Sequence, residues 1–432
     1  MGVKSDDRSD GFSLSSAEAD RQEEQAHRTG SSFGAYFNII CVIAGTGTLQ
    51  LPLAMHQGGW IGLLLIVMSG VMAIYTGNLL IRCLYINPGQ RLAGYAAVGE
   101  QAFGRVGRYV VMFFNYAIML GVGCIYIMLT GTQTYSLLKD AGIEVLSERA
   151  WIAVAGAIVL VPLVLLKSLK EAALLSVFGT LTTMVVVVVA AALSIIDIHK
   201  PDHAPAHHVF VNPSQLAIAL ASISFSFGGN VIYPHVEATM RHPGSWSRVL
   251  TYAVFTIMGI YMVIAIPGYL AYGDQAQSPI FLNLPKGAAT TSATILITIH
   301  VILAAPILLT SFALDVERSW GIEVKRLGRA KEFIYRAAVR ATTVTALTVI
   351  AMVVPFFGDF MSLLGAFANC MVVFVLPVVC YLRLFGWRSV RVVELAWCTL
   401  VIAVGLFGCV LGAIDAIKAL HKDFTEAGNI TF

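Results

Sequence analysis

Two apolar stretches of this chain are interrupted at their centres by glycines, and the interruptions fall in corresponding places. The first runs from Phe37 through Ala44-Gly45-Thr46-Gly47-Thr48 to Pro52; the other runs from Ser222 through Phe227-Gly228-Gly229-Asn230 to Pro234. Each sits in a segment near the ~20 apolar residues needed to cross a bilayer. Backbone that leaves the helix at membrane depth is tolerated only against protein or a water-filled cavity. The fold must therefore enclose both interruptions. A matched pair in two halves of a chain points to a binding site between repeats.

The rest of the composition agrees with a membrane setting. Hydrophobic residues make up 57% of the chain and charged residues 12%, whereas soluble domains carry about 25% charged residues. Eleven apolar segments are expected to span: 33–54, 58–84, 108–136, 150–166, 172–196, 213–235, 248–271, 291–314, 338–356, 360–384 and 392–417. Only Phe357-Gly358-Asp359 divides the ninth from the tenth. Basic residues collect in cytoplasmic loops. With a cytoplasmic N-terminus, only Lys139, Arg149, Lys200, Lys286, Lys418 and Lys422 of the 28 lysines and arginines fall outside. This predicts an all-α integral membrane protein with its C-terminus outside or lumenal.

The interrupted spans are the first and the sixth, an offset of five. Five is odd, so a second copy enters the bilayer from the opposite side, which makes a 5+5 inverted repeat. The expected organisation is a disordered cytoplasmic tail over 1–32, repeat one over 33–196, repeat two over 213–384 and an extra helix over 392–417. Together these form a transmembrane domain of 33–420, followed by a short external tail, 421–432. Residues 91–104 are expected along the membrane surface. Four histidines lie in the external segment 199–208, where a solvated loop competes with metal or pH sensing. The seven cysteines fall in or beside spans and imply no disulfide framework.

A helix that restarts in mid-membrane begins with unsatisfied N–H groups and a positive dipole end. At Gly45, Thr46, Gly47 and Thr48 these favour a carboxylate. The freed carbonyls around Ile43 and Ala44, with those of Ser224, Phe225 and Phe227, suit an ammonium group. Phe225, Phe227, Gly228, Asn230 and Tyr126 are candidates for a side-chain pocket. The Gly-x-Gly pattern equally suits a close helix crossing. An acidic residue is missing well inside the spans near either break, which favours a neutral solute. Ionisable groups in the membrane are functional candidates: His300 is the deepest, for protons, and Thr310 and Ser311 offer oxygens for sodium. Glu237, Asp315 and Glu317 stand at span ends as gate or pairing residues.

These segments resemble the amino acid/auxin permease family. The likeness rests on Ala44-Gly45-Thr46-Gly47-Thr48-Leu49-Gln50-Leu51-Pro52 with Gly58-Gly59-Trp60, and on Phe225-Ser226-Phe227-Gly228-Gly229-Asn230 with Met240-Arg241-His242-Pro243. Gly268-Tyr269-Leu270-Ala271-Tyr272-Gly273-Asp274 and Pro306-Ile307-Leu308-Leu309-Thr310 add to it. The resemblance implies a LeuT-like fold and secondary active transport of amino acids, coupled to protons and in some members to sodium. It also implies a plasma or vacuolar membrane, looking closest to fungal and vacuolar-type members. Asn230 stands near a position where many relatives carry histidine. An amino acid sensor of the same fold is the alternative. A nucleophile–base or metal-ligand arrangement is missing, so neither an enzyme nor a cofactor is expected, and the small net charge gives no reason to expect nucleic acid as a partner. Asn429-Ile430-Thr431 is a glycosylation sequon on the external side.

Overall fold

The computed structural model describes residues 28, 30–165, 172–201, 203–322, 324–354 and 356–429. Lys167 and Lys170, most of the N-terminal tail and the sequon beyond Asn429 lie outside them.

Among the described residues the molecule is helical, with two isolated bridges, Gly30–Met240 and Asn87–Gln90. Ten helical segments are long and apolar enough to cross a membrane: Ser32–Gly58, Ile61–Leu84, Tyr95–Asp140, Glu148–Leu165, Ser176–Ile198, Pro243–Gln275, Ala288–Glu317, Arg329–Val353, Phe357–Phe385 and Val392–Thr425. The sixth span completes the eleven, and it escapes a length criterion because it is broken. Its halves are Leu216–Ser226 and Tyr233–Thr239, with non-helical backbone between. The first span is divided likewise, into Ser32–Ile43, a tight turn Thr46–Gln50 and Leu51–Gly58.

Packing follows an exchange of each span with the one five further on. Span one packs on five and seven, and six packs on ten and two. Span three packs on eight and nine, and eight packs on three and four; five packs on seven, and ten on two. A contact set that maps onto itself this way is what a 5+5 inverted repeat requires, and the fold is LeuT-like. Span eleven lies outside the repeat, against the first half of six and against ten. Apolar side chains such as Val188, Phe255, Val349 and Val410 face outward, as a bilayer demands.

Three segments carry more structure than the sequence reading gives them. The surface segment forms a helix from Tyr95 that turns into span three at Phe103 and Gly104, where φ is +63° at the glycine. Tyr95 anchors it, donating to the Val372 carbonyl at 2.9 Å. Span eleven continues as helix to Asn429, so 421–429 is not a tail. Phe424 packs edge-on against Phe356, which holds the extension over the start of span ten. The histidine segment is not simply solvated: His203 Nε2 lies 2.8 Å from the Ala271 carbonyl and His208 Nε2 lies 2.9 Å from that of Tyr269. These contacts fall on the last turn of span seven, where the Tyr269 carbonyl also accepts the Gly273 N–H.

Candidate functional site

The two interruptions lie against each other. Ser226 Oγ donates to the Gly47 carbonyl at 2.9 Å. A Cβ at Gly47 would stand 2.9 Å from Ser226 Cα, so only glycine admits this approach. Tyr261, buried in span seven, reaches both breaks from behind: its hydroxyl lies 2.9 Å from the Ile43 carbonyl and also contacts that of Ser226. One hydroxyl proton serves one carbonyl at a time, which ties the ends of both half-helices to the same group.

A cavity of about 30 Å³ opens between the breaks, lined in part by Thr46, Gly47, Tyr126, Phe225, Gly228 and Asn369. Ile118, Val122 and Leu308 supply an apolar wall. Thr46 and Gly47 begin the restarted helix of span one, whose first N–H groups lack intrahelical acceptors. Tyr126 lines the cavity beside them.

Several expected site residues lie elsewhere. Phe227 does not line the cavity; its ring packs against Tyr261 at 5.2 Å. Asn230 Nδ2 donates toward the Val372 and Val373 carbonyls of span ten at 3.3 and 3.4 Å. Thr48 is fully buried and does not line the cavity, nor does Ala44, which continues the helix by donating to Ile40. Gly45 lies just behind, where an added Cβ would meet the Tyr126 hydroxyl at 3.3 Å. The span-six carbonyls proposed for an ammonium are already engaged. Ser224 accepts from Phe227 N–H at 2.9 Å, Phe225 from Gly228 at 3.1 Å and Phe227 from Gly229 at 2.7 Å. Buried carbonyls recruit whatever donor lies near, so the break is a set of tight turns rather than bare backbone.

Span ten brings in a residue that the sequence reading missed. Asn369, in a π-helical stretch Gly365–Asn369, donates to the Ser224 carbonyl, and its Oδ1 faces Gly228. Farther out, Gln50 Nε2 reaches Ser222 Oγ at 3.0 Å and Ser362 Oγ at 2.9 Å, and Ser222 donates to Gln57 at 3.1 Å. This neutral cluster stands between the cavity and a vestibule of about 950 Å³ on the face opposite the arginines, lined by Leu53, Asp140, Glu148, Lys286, Asp359 and Asp423 among others.

The arginine-rich face is closed. Glu237, with no exposed surface, pairs with Arg91 Nε at 2.8 Å and Arg28 Nη1 at 3.6 Å and accepts from the Tyr85 hydroxyl. Burial and the Glu237 hydrogen bond push the Tyr85 phenol above its ordinary range, which keeps it a donor. Gly30 N–H donates to the Thr239 carbonyl and Arg241 N–H to that of Gly30, both at 2.8 Å, lacing the chain start to the end of span six. Glu317 likewise pairs with buried Arg340 at 2.8 Å.

His300 lies away from the cavity, against Gly179 of span five and close to Cys41. Its Nε2 is buried without a hydrogen-bond partner among the described residues, and so is Thr310 Oγ1. Ser311 is buried beside Thr310 and does not line the cavity.

Two re-entrant breaks inside an inverted repeat define a membrane transporter of the LeuT-like class. Its fold is similar to that of the Eremococcus coleocola manganese transporter, with a TM-score of 0.55 at 11% identity over 96% of this chain and 90% of the other. Residues 28–418 match the family described as transmembrane amino acid transporter protein, and the chain belongs to that family. It is therefore a multi-pass amino acid transporter and not an enzyme. Similar relatives include amino acid transporter AVT1C of Arabidopsis thaliana, 27% identical over 92% of this chain and 71% of the relative. AVT1I of the same plant is 28% identical over 85% and 90%. The vesicular inhibitory amino acid transporter of Rattus norvegicus is 25% identical over 93% and 80%.

Proposed function

We propose that this chain is a secondary active transporter of neutral amino acids that works by alternating access, with proton coupling. The observation that carries the reading is the cavity between the two breaks. It joins N–H donors at Thr46 and Gly47 to acceptors on span six, and among the described residues none with a formal charge lines it. The donors and the Tyr126 and Thr46 hydroxyls suit a carboxylate. Each span-six carbonyl keeps a second lone pair, which with Asn369 Oδ1 suits an ammonium. Ile118, Val122 and Leu308 suit an uncharged side chain.

The cavity of about 30 Å³ has the volume of about one water, so solute entry requires the walls to part. The open vestibule on one face and the Glu237 lock on the other support a two-sided mechanism, with the Gln50 cluster as the outer barrier. The arginine distribution supports a cytoplasmic N-terminus, and the vesicular relative's name supports an internal, vacuolar or vesicular membrane. The division into repeats and an extra helix follows the same plan.

For the coupling ion, the partnerless imidazole of His300 supports a proton, and the partnerless hydroxyl of Thr310 supports the sodium reading. Proteoliposomes with pH and sodium gradients imposed separately, and a panel of radiolabelled amino acids, test both. Neutral amino acids are expected to accumulate with the pH gradient alone. Accumulation that follows sodium alone overturns proton coupling, and a preference for lysine or glutamate overturns neutrality. Asn369→Ala removes a bond to Ser224 and an acceptor facing the cavity. Hydrogen bonds to a charged group contribute about 1.5–3 kcal/mol, so half-saturation is expected to rise about tenfold or more in initial-rate assays. An unchanged value removes Asn369 from the site.

A further inference from the structure

A second cavity, of about 730 Å³, opens on the arginine-rich face between the end of span two, the start of span seven and the end of span ten. Arg28 and Arg82 line it, and among the described residues no carboxylate does. Arg82 is exposed and makes no ion pair or hydrogen bond among the described residues. Trp246 also lines the cleft; it is 3% exposed, and its Nε1–H finds no acceptor among the described residues. A buried indole N–H usually finds a partner, so one is missing here.

Trp246 also begins the 27-residue α-helix of span seven, directly after the short turn Pro243–Ser245, whose Pro243 carbonyl accepts the Trp246 N–H. The first turn of that helix adds the positive end of a helix dipole. Two guanidiniums and the Trp246 end of a helix border the cleft; the nearest carboxylates stand behind its wall, Glu237 paired with Arg28 at 3.6 Å and Glu394 accepting from the Tyr381 hydroxyl at 3.3 Å.

We propose that this cleft binds a phosphate group, carried by the headgroup of an anionic phospholipid. Guanidinium forks match phosphate oxygens, and an indole N–H adds a neutral donor. The lipid source follows from position. The cleft lies at the helix ends, where headgroups sit, and Ile81, Tyr381 and Phe385 give it a wall of apolar and aromatic surface. Basic clusters at this level attract anionic lipids. The site is independent of the solute cavity. It does share Arg28 with the Glu237 lock, so a bound headgroup competes for the cation that helps close this face.

The test uses the full chain in phosphatidylcholine nanodiscs titrated with phosphatidylinositol 4-phosphate, with retention read by native mass spectrometry. Wild type is expected to hold the phosphoinositide about tenfold or more tightly than Arg82→Gln, the loss expected for one charged hydrogen-bonding group. Arg82 is exposed, so that variant keeps the fold. Trp246→Phe keeps the ring and removes only the N–H, and it is expected to weaken retention by a smaller factor. Inorganic phosphate is added in a second arm. If it displaces the lipid at millimolar concentration, the phosphate site stands with a free anion as its source; if it does not, the headgroup assignment stands. Equal retention by wild type and Arg82→Gln, or no retention by wild type, overturns the proposal.

Discussion

Gly47→Leu is expected to abolish amino acid uptake while leaving membrane insertion and yield intact. Even Gly47→Ala is expected to cost tenfold to a hundredfold. The reason is local and steric. A Cβ at position 47 would lie 2.9 Å from Ser226 Cα and 3.0 Å from Ser226 Oγ, and the first of these is backbone that cannot rotate aside. Overpacking a close contact costs about 1–3 kcal/mol, and each 1.4 kcal/mol is about a factor of ten. Here that cost falls on the junction between the two breaks. The bond from Ser226 to the Gly47 carbonyl would be lost with it, and the first N–H groups of the restarted helix would move. Gly259→Ala is the matched control, because a methyl group there meets open space; it is expected to transport normally. Initial uptake in proteoliposomes, normalised to inserted protein, decides the matter. Wild-type uptake by Gly47→Leu removes the solute from this junction.

The spans and the two breaks were legible because hydropathy and glycine placement act locally. A run such as Val185–Ala192 has nowhere to go but a bilayer or a core, and Gly45, Gly47, Gly228 and Gly229 weaken a helix wherever they stand. Even the narrow division between spans nine and ten could be placed, near Phe357-Gly358-Asp359; the tenth helix begins at Phe357. What could not be read depends on partners distant in sequence. Asn369 gains its role only when a π-helical stretch of span ten meets Ser224, a separation of 145 positions. Tyr261 and Gln50 are ordinary polar residues in apolar runs until the fold sets them beside Ile43, Ser226, Ser222 and Ser362. The carbonyls of span six looked free because a sequence shows the break but not the turns that satisfy it. Span eleven was cut short at 417 because Lys418, His421, Lys422 and Asp423 resemble a tail, although charged residues on a solvated face leave a helix free to continue.

Glu237→Gln is expected to unlock the arginine-rich face and to lower uptake about tenfold or more. Glu237 is fully buried yet binds Arg91, Arg28 and the Tyr85 hydroxyl, so removing its charge leaves a nearly buried guanidinium unpaired. Breaking a buried pair in this way costs about 3–5 kcal/mol. The cost applies only to the state in which this face is closed, because opening it lets both arginines reach water. A bias of about 3 kcal/mol turns a 99:1 preference into a roughly even mixture of the two states. Transport needs both states in turn, so a carrier that no longer closes this side cycles poorly whatever its affinity for solute. Hydrogen exchange reads the shift directly. The amides of Gly30 and Arg241, now bonded at 2.8 Å across the lock, are expected to lose protection. Amides around the vestibule at 356–360 are expected to gain it as that side closes. Arg91→Gln is expected to give the same pattern, because it breaks the same pair from the other partner. If both variants leave exchange at Gly30 and Arg241 unchanged and transport at the wild-type rate, the Glu237 cluster only holds the fold together and the closure of this face lies elsewhere.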